Sequence, residues 1–201
     1  MLHLIKSSLE ANKRLNLIMI LIFIIISFYK FEAGLVAALY IIIKIGKSIS
    51  DYNYFNEIKN MVKTFPSSKD LYPKYCIINN NITSLIILVM WVIIGMYKKE
   101  YSTQQLIFYS LIIYTISTFY KFMFDISEIN NRKVYVENIR KMLFVILAIL
   151  FIIVSRTPNL YEHVGNIVFS YSNTKMLLII VLSIILNILY YKILKYNANK
   201  F

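Results

Sequence analysis

Leu15 to Tyr29 reads LNLIMILIFIIISFY, a run without a single charge, and five further apolar runs follow it along the chain. Runs of this kind constrain the fold more than any motif. A segment that enters lipid must satisfy its own backbone N–H and C=O groups, and a helix does so within one segment. A transmembrane helix takes roughly 20 apolar residues, fewer where flanking groups snorkel. The spans read as 15–29, 33–45, 82–97, 105–124, 142–154 and 176–194. Only 16% of the residues are charged against 59% hydrophobic, and the charges gather between the runs. A soluble domain of this length would cover itself with charge. The expected fold is therefore an all-α integral membrane protein, one transmembrane domain over residues 1–201.

The charges also orient it. With six spans, the segments expected on one side carry Lys6, Lys13, Arg14, Lys44, Lys47, Lys59, Lys63, Lys69, Lys74, Lys121, Arg132, Lys133, Arg140, Lys141, Lys192, Lys195 and Lys200. The other side carries only Lys30, Lys98, Lys99, Arg156 and Lys175. The positive-inside rule then puts both termini in the cytoplasm. It also accounts for the net charge of +12 without any nucleic-acid partner. Lys44 and Lys121 stand near span ends and are expected to snorkel to an interface. Heavy use of Ile, Lys, Asn, Tyr and Phe is the usage of an AT-rich genome, expected to be bacterial, so the expected location is a bacterial cytoplasmic membrane.

Residues 1–14 start basic and lead into an apolar run, but no small-residue cleavage site follows, so they are expected to be retained. Leu2, Ile5 and Leu9 share one helical face, which predicts an amphipathic helix lying in the membrane interface ahead of span one.

Little here points to catalysis. Gly46-Lys47-Ser48 looks like the end of a phosphate-binding loop, but Ile41 stands where the motif needs glycine. His3, Cys76 and His163 are expected in different places, too far apart for a nucleophile and base pair. A single cysteine makes no internal disulfide and no cysteine-pair metal site. No acidic residue falls inside a span, although ion-coupled pumps and intramembrane enzymes use ionisable groups at membrane depth. The expectation is a non-enzyme with no cofactor and no metal.

Two polar stripes remain. In span four, Ser110, Tyr114, Ser117 and Thr118 lie near one face and lead to Lys121 and Asp125; in span six, Ser183, Asn187 and Tyr191 do the same. Ser110, Tyr114, Ser117 and Asn187 are candidates for the wall of a substrate path. The competing reading is helix packing through small and hydroxyl side chains.

The connection between spans two and three holds KTFPSSKDLYPKY, Lys63 to Tyr75, with two of the chain's three prolines. Pro66 is expected to stop the preceding helix, Ser67 or Ser68 to cap a new one, and Asp70 to favour its N-terminus. Phe65, Pro66, Ser67, Ser68 and Lys69, followed by Lys74 and Tyr75, resemble a loop of small bacterial permeases of the type 2 ABC exporter class. In those the wording is Leu-Pro-x-Ser-Arg, then Lys-Tyr opening the third helix. Here Phe65 replaces Leu and Lys69 replaces Arg, which keeps the charge but loses the planar fork. The opening MLHLIKSSLEANKRL is similar to the interfacial helix that begins such permeases.

The resemblance implies a permease subunit energised by a separate ATPase, which the loop from Phe65 to Tyr75 would dock, alongside a second permease copy or paralogue. With no buried charge expected, the substrate would be hydrophobic or amphipathic, a peptide or a lipid-like molecule. The alternative is a non-transporting multi-pass protein, such as a bacteriocin-immunity or toxin-protection factor, in which the basic loop only fixes topology.

Overall fold

The computed structural model describes residues 13–53, 68–99, 101–129 and 170–198. Five helices account for nearly all of them: α1 (Lys13–Tyr29), α2 (Phe31–Asn53), α3 (Ser68–Lys98), α4 (Thr103–Ile129) and α5 (Asn173–Ala198). α3, α4 and α5 are each long and apolar enough to cross a membrane, and α2 carries a shorter apolar stretch, Ala33–Ile45. α1 is 17 residues long with no charge after Arg14. The expected span at 142–154 lies outside the described residues, as does the expected interfacial helix apart from Lys13 and Arg14.

Every described helix outruns its apolar stretch. α2 continues past Ile45 to Asn53, α3 begins well before Ile82, and α4 continues past Phe124 to Ile129. Hydropathy marks what lipid requires. The helical ladder has no reason to stop there, because its hydrogen bonds are internal.

The ends of the helices have local causes. Only Lys30 separates α1 from α2. A Cβ at Gly34 would stand 2.5 Å from the Ser27 Oγ and 3.1 Å from its Cα, so this hairpin closes at a distance only glycine allows. α3 is stopped by Lys99, the non-glycine residue that follows it at φ 55°, whose N–H reaches the Gly95 carbonyl at 3.0 Å. That is the left-handed helix stop usually given to glycine. α4 opens on a capping box. The Ser102 N–H donates to Gln105 Oε1 at 3.0 Å, and the Gln105 N–H donates to Ser102 Oγ at 3.3 Å. Ser172 caps α5 by accepting from the Lys175 N–H at 3.2 Å.

Aromatic contacts gather three of these ends. Phe31, at the start of α2, stacks on Trp91 of α3 at 4.5 Å, and the Trp91 indole N–H donates to the Phe31 carbonyl at 3.4 Å. Phe31 also lies 5.8 Å from Tyr101, and Phe28 lies 6.3 Å from Tyr97. Phe108 of α4 meets Tyr171, just ahead of α5, at 5.8 Å. The α1–α2 turn, the α3–α4 turn and the start of α5 thus share one end of the bundle. α5 therefore runs in the same direction as α4, and Tyr190 near its far end meets Phe122 near the far end of α4 at 5.5 Å.

α3 is the central helix, packed on α2, α4 and α5 and touching α1. The core follows it, with Ile87, Leu88, Trp91 and Ile94 buried against Phe23, Phe31, Ile41, Leu106 and Tyr190. α5 is apolar nearly all round, and Leu177, Leu178, Leu182 and Ile184 stay exposed along its outer side. Such a surface is suited to lipid.

Candidate functional site

A belt of amide and hydroxyl groups crosses the middle of α3, α4 and α5. The Tyr114 hydroxyl donates to Asn81 Oδ1 at 2.8 Å and accepts from Asn187 Nδ2 at 2.9 Å, tying α3, α4 and α5 through one oxygen. One step along, Asn80 Nδ2 donates to Thr118 Oγ1 at 3.1 Å. Asn79 and Asn80 are buried, and the Asn79 carbonyl accepts from Thr83 Oγ1 at 2.9 Å. In hydrocarbon an amide without a partner is costly, so these groups select one rotation of each helix about its axis.

Of the four residues expected along a substrate path, the structure joins Tyr114 and Asn187 directly. Ser110 and Ser117 instead donate to their own helix, to the Leu106 and Tyr114 carbonyls, each at 2.9 Å. Such back-bonding satisfies the hydroxyl without a second helix. The tie to α3 was missed in sequence. Asn79, Asn80 and Asn81 sit just ahead of the apolar run at Ile82, where asparagine reads as the end of a span. α3 carries them on into the bundle.

A second cluster lies toward the far end of α4. Lys121 Nζ pairs with Asp125 Oδ1 on the next turn, and the Tyr190 hydroxyl of α5 donates to Asp125 Oδ2. Lys121 is 4% exposed, while Asp125 and Tyr190 are fully buried. This corrects the expectation that Lys121 snorkels to an interface. It also places two ionisable groups inside a stretch, Thr103–Ile126, that is long and apolar enough to cross a membrane. The i,i+4 spacing of Lys121 and Asp125 was the available signal. Their burial depended on α5 covering them. Lys44, by contrast, is exposed, with its ammonium 5.9 Å from the Tyr40 ring centre.

In the expected docking segment, Phe65, Pro66 and Ser67 lie outside the described residues. Ser68, Lys69, Asp70, Lys74 and Tyr75 all belong to α3, continuous with the span itself. Pro73 sits inside this helix near its start and removes one donor from the ladder. Lys74 is exposed, whereas Tyr72, Tyr75 and Cys76 are buried in the core cluster.

Among the described residues, no group of three or more His, Cys, Asp or Glu side chains is arranged to hold a metal ion. A cavity of about 460 Å³ opens beside the α3–α4 turn, lined by Met96, Lys99, Tyr101, Ser102, Thr103 and Gln105. No protein-family model, no curated protein and no solved structure matches the chain.

Proposed function

We propose that the chain is a six-span membrane protein with both termini in the cytoplasm, serving as the permease subunit of an ABC exporter. A separate ATPase would energise it, a second permease copy or paralogue would complete it, and a hydrophobic or amphipathic molecule would be its substrate. The bacterial cytoplasmic membrane is its place.

The continuity of α3 carries this reading. Lys69 and Lys74 of the docking segment stand on the same helix as Asn80 and Asn81, whose side chains bond α4 and, through Tyr114, α5. A helix advances 1.5 Å per residue and resists bending, so a partner that moves Lys74 moves the polar belt. Coupling then has a physical route through packed and hydrogen-bonded groups. The six-span count draws support from α4 and α5 running in the same direction, as spans four and six of an alternating chain do. The orientation draws support from the basic residues. Lys30, Lys98, Lys99 and Lys175 lie at the aromatic end, against the larger basic set expected at the other.

The test is the triple change Pro66→Ala, Lys69→Glu and Lys74→Glu. Lys74 is exposed, so its reversal leaves the core intact while opposing an acidic groove on a partner. The expected result is normal membrane levels, loss of the co-purifying ATPase and loss of export or resistance. Retained co-purification and phenotype would make the segment a topology anchor and put the immunity-type reading first.

A further inference from the structure

Among the described residues, two buried polar atoms in the belt have no hydrogen-bond partner: the Ser84 hydroxyl of α3 and Asn187 Oδ1 of α5. We propose that they form a binding site for an uncharged amide, the backbone of a hydrophobic peptide, at mid-height in the bundle. The proposal rests on the transport reading and names its substrate class.

Asn187 spends both amide hydrogens, one on the Tyr114 hydroxyl and one on the Ser183 carbonyl at 2.8 Å. Turning the amide over would set its oxygen against that carbonyl, so the orientation is fixed by its neighbours and the oxygen is left open as an acceptor. Ser84 is fully buried. It lies three and four residues past Asn81 and Asn80, hence on the same side of α3. Thr83, Ser110, Thr115 and Ser183 all turn their hydroxyls onto carbonyls of their own helices. Ser84 does not, although the same bond costs only a rotation about χ1. The hydroxyl offers one donor, and Asn187 Oδ1 offers one acceptor. α3 and α5 pack together, and Asn81, one turn from Ser84, is joined to Asn187 through Tyr114.

An amide presents one carbonyl and one N–H, an acceptor for the Ser84 hydroxyl and a donor for Asn187 Oδ1. An ester has no donor and would leave Asn187 Oδ1 unmet. A free ammonium or carboxylate would find no opposite charge in the belt and would bear the full cost of losing water. Both atoms are closed to solvent in this conformation, so the ligand enters when α5 parts from α3.

The experiment uses the full chain, purified without any ATPase into lipid nanodiscs. The probes are a tritiated tetraleucine peptide, acetylated and amidated at its ends, and its ester-backbone analogue. Saturable binding of the peptide is expected, with the analogue weaker by roughly tenfold. Ser84→Ala should weaken peptide binding by about three- to tenfold, the range of one neutral hydrogen bond, with an unchanged thermal midpoint. Asn187→Leu also breaks the bond to Tyr114 and disturbs the fold, so Ser84→Ala is the decisive variant. Absence of saturable binding, or equal binding by the analogue and by Ser84→Ala, would overturn the proposal; a water bridging the two atoms would give the second result. Because no ATPase takes part, peptide binding without ATPase co-purification would remove the exporter reading and leave the site standing.

Discussion

The Tyr190 hydroxyl on α5 donates to the Asp125 carboxylate on α4, and Lys121 holds the other oxygen of the same carboxylate. The three side chains are buried together, so their charges are compensated inside the bundle rather than by water. Removing two charges from water costs several kcal/mol per ion, and a close pair with a further hydrogen bond roughly offsets that.

This arrangement separates three variants. Tyr190→Phe removes one hydrogen bond to a charged acceptor and should lower stability by about 1.5–3 kcal/mol. Lys121→Met leaves the carboxylate buried and uncompensated and should cost about 3–5 kcal/mol. Lys121→Met with Asp125→Leu should recover most of that loss. Unfolding of the purified protein in mixed micelles gives the three values. A double variant no better than Lys121→Met would mean that the pair holds the α4–α5 contact by more than charge compensation.

Gly34 tests the first hairpin. An alanine methyl there meets Ser27 at Oγ and at backbone Cα, and the backbone has nowhere to retreat with only Lys30 in the connection. Gly34→Ala should cost about 1–3 kcal/mol, and adding Ser27→Gly should return part of it. Thermal denaturation of the single and double variants reads this directly.

Lys99 holds a left-handed conformation that L side chains adopt at a cost. Lys99→Gly should stabilise the protein by about 1 kcal/mol, because glycine carries no such penalty. A lowered melting temperature would show that the Lys99 side chain contributes more through its own contacts than its backbone gives up.

Topology has its own test. Cysteines placed singly at Ser102 and Asn173 should react with a membrane-impermeant maleimide in intact cells, and cysteines at Ser67 and Asn130 only after permeabilisation. The native Cys76 is buried and gives a low background. Labelling of Ser67 from outside would reverse the orientation and place the docking segment beyond reach of any cytoplasmic ATPase.

The sequence by itself determined that this chain is helical and built for a membrane. Lipid admits few backbone solutions, so a run such as Leu15–Tyr29 states its structure almost without reference to the rest of the chain. It also carried one half of the polar belt, since Tyr114 and Asn187 fall in the polar stripes of two largely apolar runs. What it left open was who meets whom. Asn79, Asn80 and Asn81 read as the close of a loop, and Lys121 reads as a residue reaching for water, because hydropathy scores each residue against solvent or lipid and knows nothing of a neighbouring helix. Only the tertiary structure set α5 beside α4 with Tyr190 against Asp125, and α3 beside both with Asn81 against Tyr114. A polar group inside a bilayer takes its meaning from its partner, and the partner stands 33 residues away in one case and 65 in the other.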